Sequence, residues 1–185
     1  MILPAIPILT SPRLRLRPHR AEDLAACAAL WADPGVVRFI TGRPQTREET
    51  WARLLRYAGH WAWLGFGYWA VEERDGGAYV GELGFADFQR EGLPGLAGRP
   101  ELGWALSPAV HGRGYATEAL RAALAWGDAN LPAAETACII APDNLASLRV
   151  AEKLGYREVE RVARNGGETL LFTRARGAAS IPSPA

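Results

Sequence analysis

The chain has 185 residues, of which 49% are hydrophobic and 22% are charged, a balance typical of a soluble globular domain. Its 21 basic and 20 acidic residues leave a net charge of +1, which argues against a nucleic-acid-binding protein. No stretch approaches the roughly 18 apolar residues of a membrane helix, so we expect a cytoplasmic protein with no membrane partner. We expect one domain over residues 1–176 and a disordered tail over residues 177–185, which has little to bury.

Periodic spacing of apolar residues predicts five elements in the first half of the chain. These are a strand at 13–17, a helix at 21–31, a helix that ends near His60, and strands at 68–73 and 78–86. The sequence Asp33-Pro34-Gly35 is expected to end the first helix. A capping box, Thr46-Arg47-Glu48-Glu49, opens the second helix, and Asp75-Gly76-Gly77 is a hairpin turn between the two later strands.

The second half of the chain continues the alternation of strands and helices. The predicted elements are a strand at 101–106, a helix at 116–129, a strand at 136–140, a helix at 144–154, and strands at 156–162 and 168–173 around Asn165-Gly166-Gly167. The order of elements predicts an α/β (α+β) domain. We expect a mixed, largely antiparallel sheet of about seven strands, flanked by about four helices.

Cysteine and histidine positions do not indicate a metal site. Cys27 and Cys138 lie far apart in apolar sequence, which indicates two buried free thiols. His19, His60 and His111 have no metal-ligand spacing with these cysteines or with each other. We therefore predict that the protein binds no metal.

Three tryptophans cluster in and after the second predicted helix, at Trp51, Trp61 and Trp63. We interpret them as core residues or as the surface of a homodimer, in preference to a cage around a ligand. The sequence does not decide between a monomer and a homodimer.

The segment over residues 106–119 combines the end of a strand, a glycine-containing loop and the start of a strong helix. The first amides of a helix lack internal acceptors and carry the positive end of its dipole, and Gly112 and Gly114 permit close approach. This pattern favours a phosphate or pyrophosphate site, with a plain strand-to-helix turn as the alternative. A dinucleotide fingerprint requires glycine where Thr117 stands, and the chain has no Gly-Lys-Ser/Thr phosphate loop.

The loop sequence His111-Gly112-Arg113-Gly114-Tyr115-Ala116 resembles the acetyl-CoA signature of the GNAT N-acetyltransferases. It departs from that signature at His111, where the family has Gln or Arg. Residues 13–18, 33–39 and 144–156 are similar to the branch that contains the ribosomal-protein N-terminal acetyltransferases. The resemblance covers about residues 9–174 in the same element order.

This resemblance implies that acetyl-CoA is the cosubstrate and assigns its contacts. The backbone of Trp104, Ala105 and Leu106 is expected to bind the pantetheine arm. Asn144 is expected either to hydrogen-bond the pantetheine arm or to cap its own helix. The expected pyrophosphate ligands are the backbone amides of Gly112, Arg113, Gly114, Tyr115, Ala116 and Thr117.

The resemblance also implies direct acetyl transfer to a primary amine through a tetrahedral oxyanion, which an N–H near Leu106 is expected to stabilise. Glu101, at the start of the strand before the loop, is the candidate general base, directly or through water, and Glu82 is the runner-up. The alternative for Glu101 is an ordinary exposed strand-end glutamate.

Many family members have a tyrosine that acts as general acid where this chain has Ala151. Ser147 is instead expected near the sulfur, or is a helix-surface hydroxyl.

The acceptor amine remains open at this point. A lysine amine of pKa about 10.4 costs about 4.6 kcal/mol to deprotonate at pH 7, and an α-amine of pKa about 7.8 costs about 1 kcal/mol. A protein N-terminal α-amine is therefore one candidate, and a small amine such as an antibiotic or metabolite is the other. A non-catalytic acyl-CoA-binding module and a nucleotide-binding protein are alternatives from other functional classes.

Overall fold

The structure is a computed structural model that describes residues 5–164 and 166–178. Asn165 of the last predicted turn and residues 179–185 of the predicted tail lie outside the described residues. The strands are β1 (Leu9–Thr10), β2 (Leu14–Arg17), β3 (Tyr68–Glu73), β4 (Tyr79–Ala86), β5 (Glu101–Leu106), β6 (Glu135–Ile140), β7 (Arg157–Arg164) and β8 (Gly167–Ala175). The α-helices are α1 (Leu24–Ala32), α2 (Pro34–Val37), α3 (Arg47–Leu64), α4 (Tyr115–Asn130) and α5 (Leu145–Lys153).

The chain divides into two units. The first comprises Met1–Gly84 and Trp104–Ala123, and the second comprises Phe85–Gly103 and Leu124–Ala185. Strands β4 and β5 each run from one unit into the other along the chain. The single domain expected over residues 1–176 remains a prediction.

In the first unit the strands lie in the order β1-β2-β3-β4-β5. The first four pair antiparallel, with Leu16 opposite Val71 where β2 meets β3. Leu14 and Leu16 are both 0% exposed, so the alternating sequence of β2 places both leucines in the core, as the period of two predicts. This sheet supports helices α1 to α3 and the segment that follows β5.

In the second unit the strands lie in the order β5-β6-β8-β7. The start of β5 runs parallel to β6, with Glu101 opposite Ala137, and the remaining pairs are antiparallel. The buried Arg174 of β8 fastens this unit internally, because its guanidinium donates to both carboxylate oxygens of Asp128 at 2.8 and 2.9 Å and to Leu154 O at 3.1 Å.

Helix α3 confirms the predicted capping box and extends past its predicted end. Thr46 Oγ1 accepts from the Glu49 amide at 3.1 Å, and Glu49 Oε2 accepts from the Thr46 amide at 2.8 Å. The helix continues to Leu64, because His60 and the tryptophan after it are buried and keep the helical register against the core. Gly65, in the left-handed conformation, then ends it.

The prolyl turn after α1 starts a new helix as well as ending the old one. Asp33 adopts an extended backbone and its side chain accepts from the Gly35 amide at 2.7 Å. Pro34 then occupies the first position of α2, where its missing N–H leaves no bond unmade. The same three residues thus act as a stop for α1 and as a start for α2.

The three tryptophans of the predicted cluster have different environments. Trp61 is buried in the core, Trp51 is partly exposed, and Trp63 is 86% exposed. Core and surface roles are therefore both present in this cluster, and the homodimer remains a prediction.

The predicted α/β fold class is confirmed. The described residues contain eight strands and five α-helices, against the seven and four expected. The additional elements are β1 and α2, which have two and four residues and are too short to show a periodic pattern. None of the described helices combines the length and the hydrophobicity that a membrane crossing requires.

A buried ion network ties β2 to its surroundings. Arg17, which is 6% exposed, donates to both carboxylate oxygens of Asp23 at 2.7 and 2.8 Å and to Glu72 at 2.6 Å. Burial alone raises the pKa of Asp23, but the hydrogen bonds from Arg17 and from the Arg20 amide outweigh it and lower that pKa. Arg15 reaches the same Glu72 at 3.2 Å, with half of its side chain in solvent.

We predict that Arg17→Met lowers the free energy of unfolding by about 3–5 kcal/mol, because two buried carboxylates lose their partner. Arg15→Met is the matched control on the same strand, and we expect it to lower that free energy by less than about 1 kcal/mol. Urea unfolding of both variants measures the difference. Equal losses of unfolding free energy in the two variants would show that the buried ion pairs of Arg17 stabilise the protein no more than the half-exposed ion pair of Arg15.

Candidate active site

The loop between β5 and α4 contains two glycines in the left-handed region. Gly112 has a φ of 74° and Gly114 a φ of 77°. A Cβ at Gly112 would meet no atom within 4 Å, and a Cβ at Gly114 would only touch Arg13 Nη2 at 3.6 Å. The backbone conformation, rather than lack of space, therefore requires glycine at both positions, since other residues pay about 1–2 kcal/mol there.

This loop leaves a group of backbone amides without acceptors. Within residues 5–164 and 166–178 no acceptor is found for the amides of Gly112, Gly114, Tyr115, Ala116 and Thr117. The Arg113 amide makes a long bond of 3.4 Å to Val110 O, and the Glu118 amide donates to Gly114 O at 3.1 Å. Since the positive end of the α4 dipole lies at the same place, this cluster of donors suits an anion.

Two guanidinium groups flank the loop. Arg13 Nη1 donates to Arg113 O at 2.9 Å, and its guanidinium lies 4.6 Å from the centre of the Tyr115 ring. The guanidinium of Arg113 lies 4.4 Å from the centre of the same ring, and the Tyr115 hydroxyl donates to Glu73 at 2.7 Å. These contacts hold the loop shape, and each guanidinium is also paired with a carboxylate, Arg13 with Glu118 at 2.6 Å and Arg113 with Glu73 at 3.3 Å.

The carboxylate of Glu118, in the first turn of α4, is neutralised by its neighbours. Ser11 Oγ donates to Glu118 Oε1 at 2.7 Å, and Arg13 donates from its amide at 2.8 Å and from Nε at 2.6 Å. Burial alone raises the pKa of Glu118, but these donors outweigh it and lower that pKa. The ionised Glu118 is thus paired within the loop and repels an approaching anion less.

The second half of β5 lies in the same unit as the loop. Ala105 and Leu106 are buried and Trp104 is half-buried. His111, which departs from the family signature, has Nε2 within 3.1 Å of Leu106 O and so links the loop to the end of the strand. The predicted pantetheine contacts and the predicted pyrophosphate contacts therefore lie on one continuous segment.

Strands β4 and β5 approach each other closely in the first unit. A Cβ at Gly81 would lie 2.3 Å from Ala105 O and 2.8 Å from Leu106 Cα. The Ser107 amide donates to Val80 O at 2.8 Å. Only glycine at position 81 permits this approach, which sets where Ala105 and Leu106 lie.

Glu101 lies in the second unit and is buried, with 6% of its surface exposed. Arg90 donates to both of its carboxylate oxygens, from Nε at 2.6 Å and from Nη2 at 2.8 Å. The alternative of an ordinary exposed strand-end glutamate is therefore wrong. Two of the roughly four acceptor sites of the carboxylate are taken by Arg90, which leaves lone pairs for a proton or a water.

Asn144 and Ser147 begin helix α5 in the second unit. Asn144 Oδ1 accepts from the Ser147 amide at 3.2 Å, so Asn144 caps its own helix. Ser147 is half-buried in the first turn. A role of Asn144 toward pantetheine and a role of Ser147 beside the sulfur stay predictions.

A second carboxylate, Glu82 of β4, is 0% exposed and surrounded by donors. Trp31 Nε1 at 3.0 Å and the Tyr57 hydroxyl at 2.5 Å donate to one oxygen, and the Tyr79 hydroxyl donates to the other at 3.1 Å. His19 Nε2 lies 3.4 Å from that second oxygen. Burial alone raises the pKa of Glu82, but these neighbours outweigh it and lower that pKa.

His19, Cys27 and Glu82 bring three metal-binding atom types within 4.8 Å of one another. Spacing along the sequence did not reveal this set, because its members come from three separate elements. Burial, followed by the charge of Glu82, raises the pKa of the Cys27 thiol to about 12, and its Sγ donates to the Tyr79 hydroxyl at 3.2 Å. Glu82 and the Cys27 thiol of this set are both hydrogen-bonded, and the absence of a metal stays a prediction. Cys27 and Cys138 are buried free thiols, as predicted.

Residues 13–157 match the family described as the acetyltransferase (GNAT) domain, which covers most of the chain. The chain belongs to the GNAT acetyltransferases. The resemblance carried by the loop signature is thus confirmed, and the protein is an acyltransferase. For this GNAT acetyltransferase, the unpaired amides after β5 lie within the stretch that matches the family.

Relatives and solved structures agree with this assignment. The GNAT acetyltransferase is 32% identical to YkkB of Bacillus subtilis (strain 168) over 90% of its own length and 94% of that protein. An acetyltransferase from Agrobacterium tumefaciens superimposes with a TM-score of 0.79 at 28% identity, covering 94% of this chain and 97% of that one. RimL, a ribosomal L7/L12 α-N-protein acetyltransferase in complex with coenzyme A, shares the fold, with a TM-score of 0.75 at 16% identity over 91% of this chain and 98% of that one.

We predict that Gly81→Ala destabilises the protein more than Gly76→Ala. Both glycines have positive φ, but a Cβ at Gly76 meets nothing within 4 Å. Gly76→Ala should lower the free energy of unfolding by about 1–2 kcal/mol through backbone strain alone. Gly81→Ala should add about 1–3 kcal/mol for the collision with β5. Urea unfolding tests this, and equal losses would contradict the close approach of β4 and β5.

Proposed function

We propose that this GNAT acetyltransferase transfers an acetyl group from acetyl-CoA directly to a primary amine. The observation that carries the proposal is the cluster of five unpaired amides at the start of α4, flanked by Arg13 and Arg113. A diphosphate supplies acceptors for several N–H groups at once and negative charge for the helix dipole. Coenzyme A is a thioester carrier with such a diphosphate.

The proposed contacts follow the chain from β5 into α4. The backbone of Trp104, Ala105 and Leu106 holds the pantetheine arm, and the loop amides hold the diphosphate. The Arg113 amide is the weakest of these donors, since it already has a long bond to Val110 O, and its half-exposed guanidinium is paired with Glu73 at 3.3 Å. Asn144 is assigned to the pantetheine arm in addition to its capping role.

In the proposed reaction the neutral amine attacks the thioester carbonyl carbon, a C–N bond forms, and the C–S bond breaks as CoA thiolate leaves. Glu101 receives the proton that the amine loses, directly or through water. An amide near Leu106 stabilises the oxyanion, and Ser147 donates a hydrogen bond toward the departing sulfur. A thiol of pKa about 8.5 leaves readily, so a weak donor is sufficient there.

A protein N-terminal α-amine is the first candidate for the acceptor, because losing its proton at pH 7 costs only about 1 kcal/mol. RimL, which shares the fold, is a ribosomal L7/L12 α-N-protein acetyltransferase. A small-molecule amine is the second candidate. A panel of peptides and small amines, followed by thiol release, separates them, and activity on small amines alone would reject the N-terminal acceptor.

We predict that Gly114→Glu abolishes binding of coenzyme A, measured by isothermal titration calorimetry. The substitution adds a negative charge among the unpaired amides, where it competes with the diphosphate. Gly42→Glu is the matched control, because Gly42 has a φ of 73° in open space outside this loop, so it carries the same backbone strain. If both variants bind coenzyme A like the unmodified protein, the diphosphate site lies elsewhere.

We predict that Glu101→Gln lowers kcat by about 100-fold or more while leaving the affinity for coenzyme A unchanged, since general-base catalysis contributes about 10²–10⁴-fold. Glu82→Gln is the comparison, because Glu82 is the other buried carboxylate with several donors. Thiol release at saturating coenzyme measures both variants. A large loss in Glu82→Gln alone would move the base to Glu82, and no loss in either would favour a non-catalytic acyl-CoA-binding module.

A further inference from the structure

The carbonyl of Leu106 is held by a side chain from the loop that follows it. His111 Nε2 lies 3.1 Å from Leu106 O, and a carbonyl oxygen only accepts, so Nε2 carries a proton and donates. This bond joins the last residue of β5 to the residue before Gly112. It therefore lies where the proposed pantetheine contacts pass into the proposed diphosphate contacts.

A 3₁₀ turn over Pro108–Val110 brings the ring of His111 back to the strand. Ser107 caps this turn with its side-chain oxygen, and the His111 amide donates to Pro108 O at 3.1 Å. The backbone of His111 is then extended, with a φ of −62° and a ψ of 148°. Because the turn is closed by its own hydrogen bonds, it presents the imidazole at a fixed place relative to Leu106.

The Leu106 carbonyl lies on the edge of β5 that faces away from β4. The Ser107 amide donates to Val80 O at 2.8 Å, and Ala105 O lies 2.3 Å from where a Cβ of Gly81 would be, so residues 105 and 107 face β4. The backbone polar groups of successive residues alternate between the two edges of a strand. The N–H and the C=O of Leu106 therefore share the opposite edge.

The hydrogen bond from His111 changes what Leu106 offers a ligand on that edge. A free C=O would repel the carbonyl oxygen of a thioester and the negative charge that develops on it during transfer, whereas an N–H attracts both. With its carbonyl bound to the imidazole, Leu106 presents the N–H as its stronger polar group. This suits the oxyanion donor that the proposed reaction needs.

We propose that His111 is a positioning residue that fixes the glycine loop to the end of β5 and makes that end a donor site for the thioester. The inference rests on the proposed acetyl transfer and adds a residue to it. Glutamine, which the family signature has at this position, carries an amide N–H at about the same reach as the imidazole Nε2. The histidine of this chain therefore keeps the donor although the residue differs.

The first part of the test compares variants of His111 by calorimetric titration with coenzyme A. Glutamine places its amide near the position of the imidazole Nε2, whereas the shorter asparagine reaches only the position of Nδ1 and cannot donate to Leu106 O. We expect His111→Gln to keep the dissociation constant within about threefold, and His111→Asn and His111→Phe to raise it by about tenfold, because the bond to the carbonyl is lost. Gln and Asn differ by one methylene, so the pair separates reach from polarity.

The second part measures kcat at saturating coenzyme and the tautomer of His111. We expect kcat to fall by about tenfold in His111→Asn and His111→Phe but not in His111→Gln, because only the first two release the Leu106 carbonyl and misplace the donor. At mildly alkaline pH, two-bond ¹⁵N–¹H NMR correlations should show the Nε2–H tautomer of His111, a signature that needs no turnover. Urea unfolding of each variant separates a loss of positioning from a loss of stability.

The inference is overturned if His111→Asn and His111→Phe bind coenzyme A and turn over as the unmodified protein does, even where they unfold more easily. It is also overturned if His111 shows the Nδ1–H tautomer, or if His111→Gln loses as much as the other two variants. Failure of the unmodified protein to bind coenzyme A, by contrast, overturns the proposed function itself. The two failures are therefore distinguishable.

Discussion

The proposed function depends on backbone amides that the fold leaves without partners at the start of α4. A helix cannot satisfy its own first N–H groups, and in the loop before it Gly112 and Gly114 adopt the left-handed conformation and have unpaired amides of their own. Side chains that commonly cap such an end are absent from the positions between Gly112 and Tyr115. An anionic ligand is the natural partner for these donors.

The surroundings of the loop make this arrangement stable. Arg13 pairs with Glu118 and bonds to the loop backbone, so one side chain both neutralises the only carboxylate in the first turn of α4 and braces the turn. Gly81 allows β4 to approach the strand that leads into the loop. Further from the loop, the buried carboxylate of Glu82 is surrounded by donors, and His19 Nε2 lies 3.4 Å from it.

Local sequence patterns predicted most of the helices and strands. Contacts between residues far apart in the sequence could not be predicted from those patterns. Strands β3 and β5 have the predicted bounds, and the glycine loop lies where it was expected, because period and glycine placement are local properties. The pairing of Arg90 with Glu101 and the donors around Glu82 join residues from separate elements, which spacing does not reveal. A charged residue at position 82 in an otherwise apolar strand was the one available signal for that second cluster.

The most direct test is a heteronuclear NMR titration of the ¹⁵N-labelled protein with coenzyme A and, separately, with inorganic pyrophosphate. We predict that both ligands shift the amide resonances of Gly112, Gly114 and the first residues of α4, with downfield proton shifts typical of new N–H bonds to an anion. Binding of coenzyme A that leaves these amide resonances in place, while shifting others, would contradict the proposed diphosphate site.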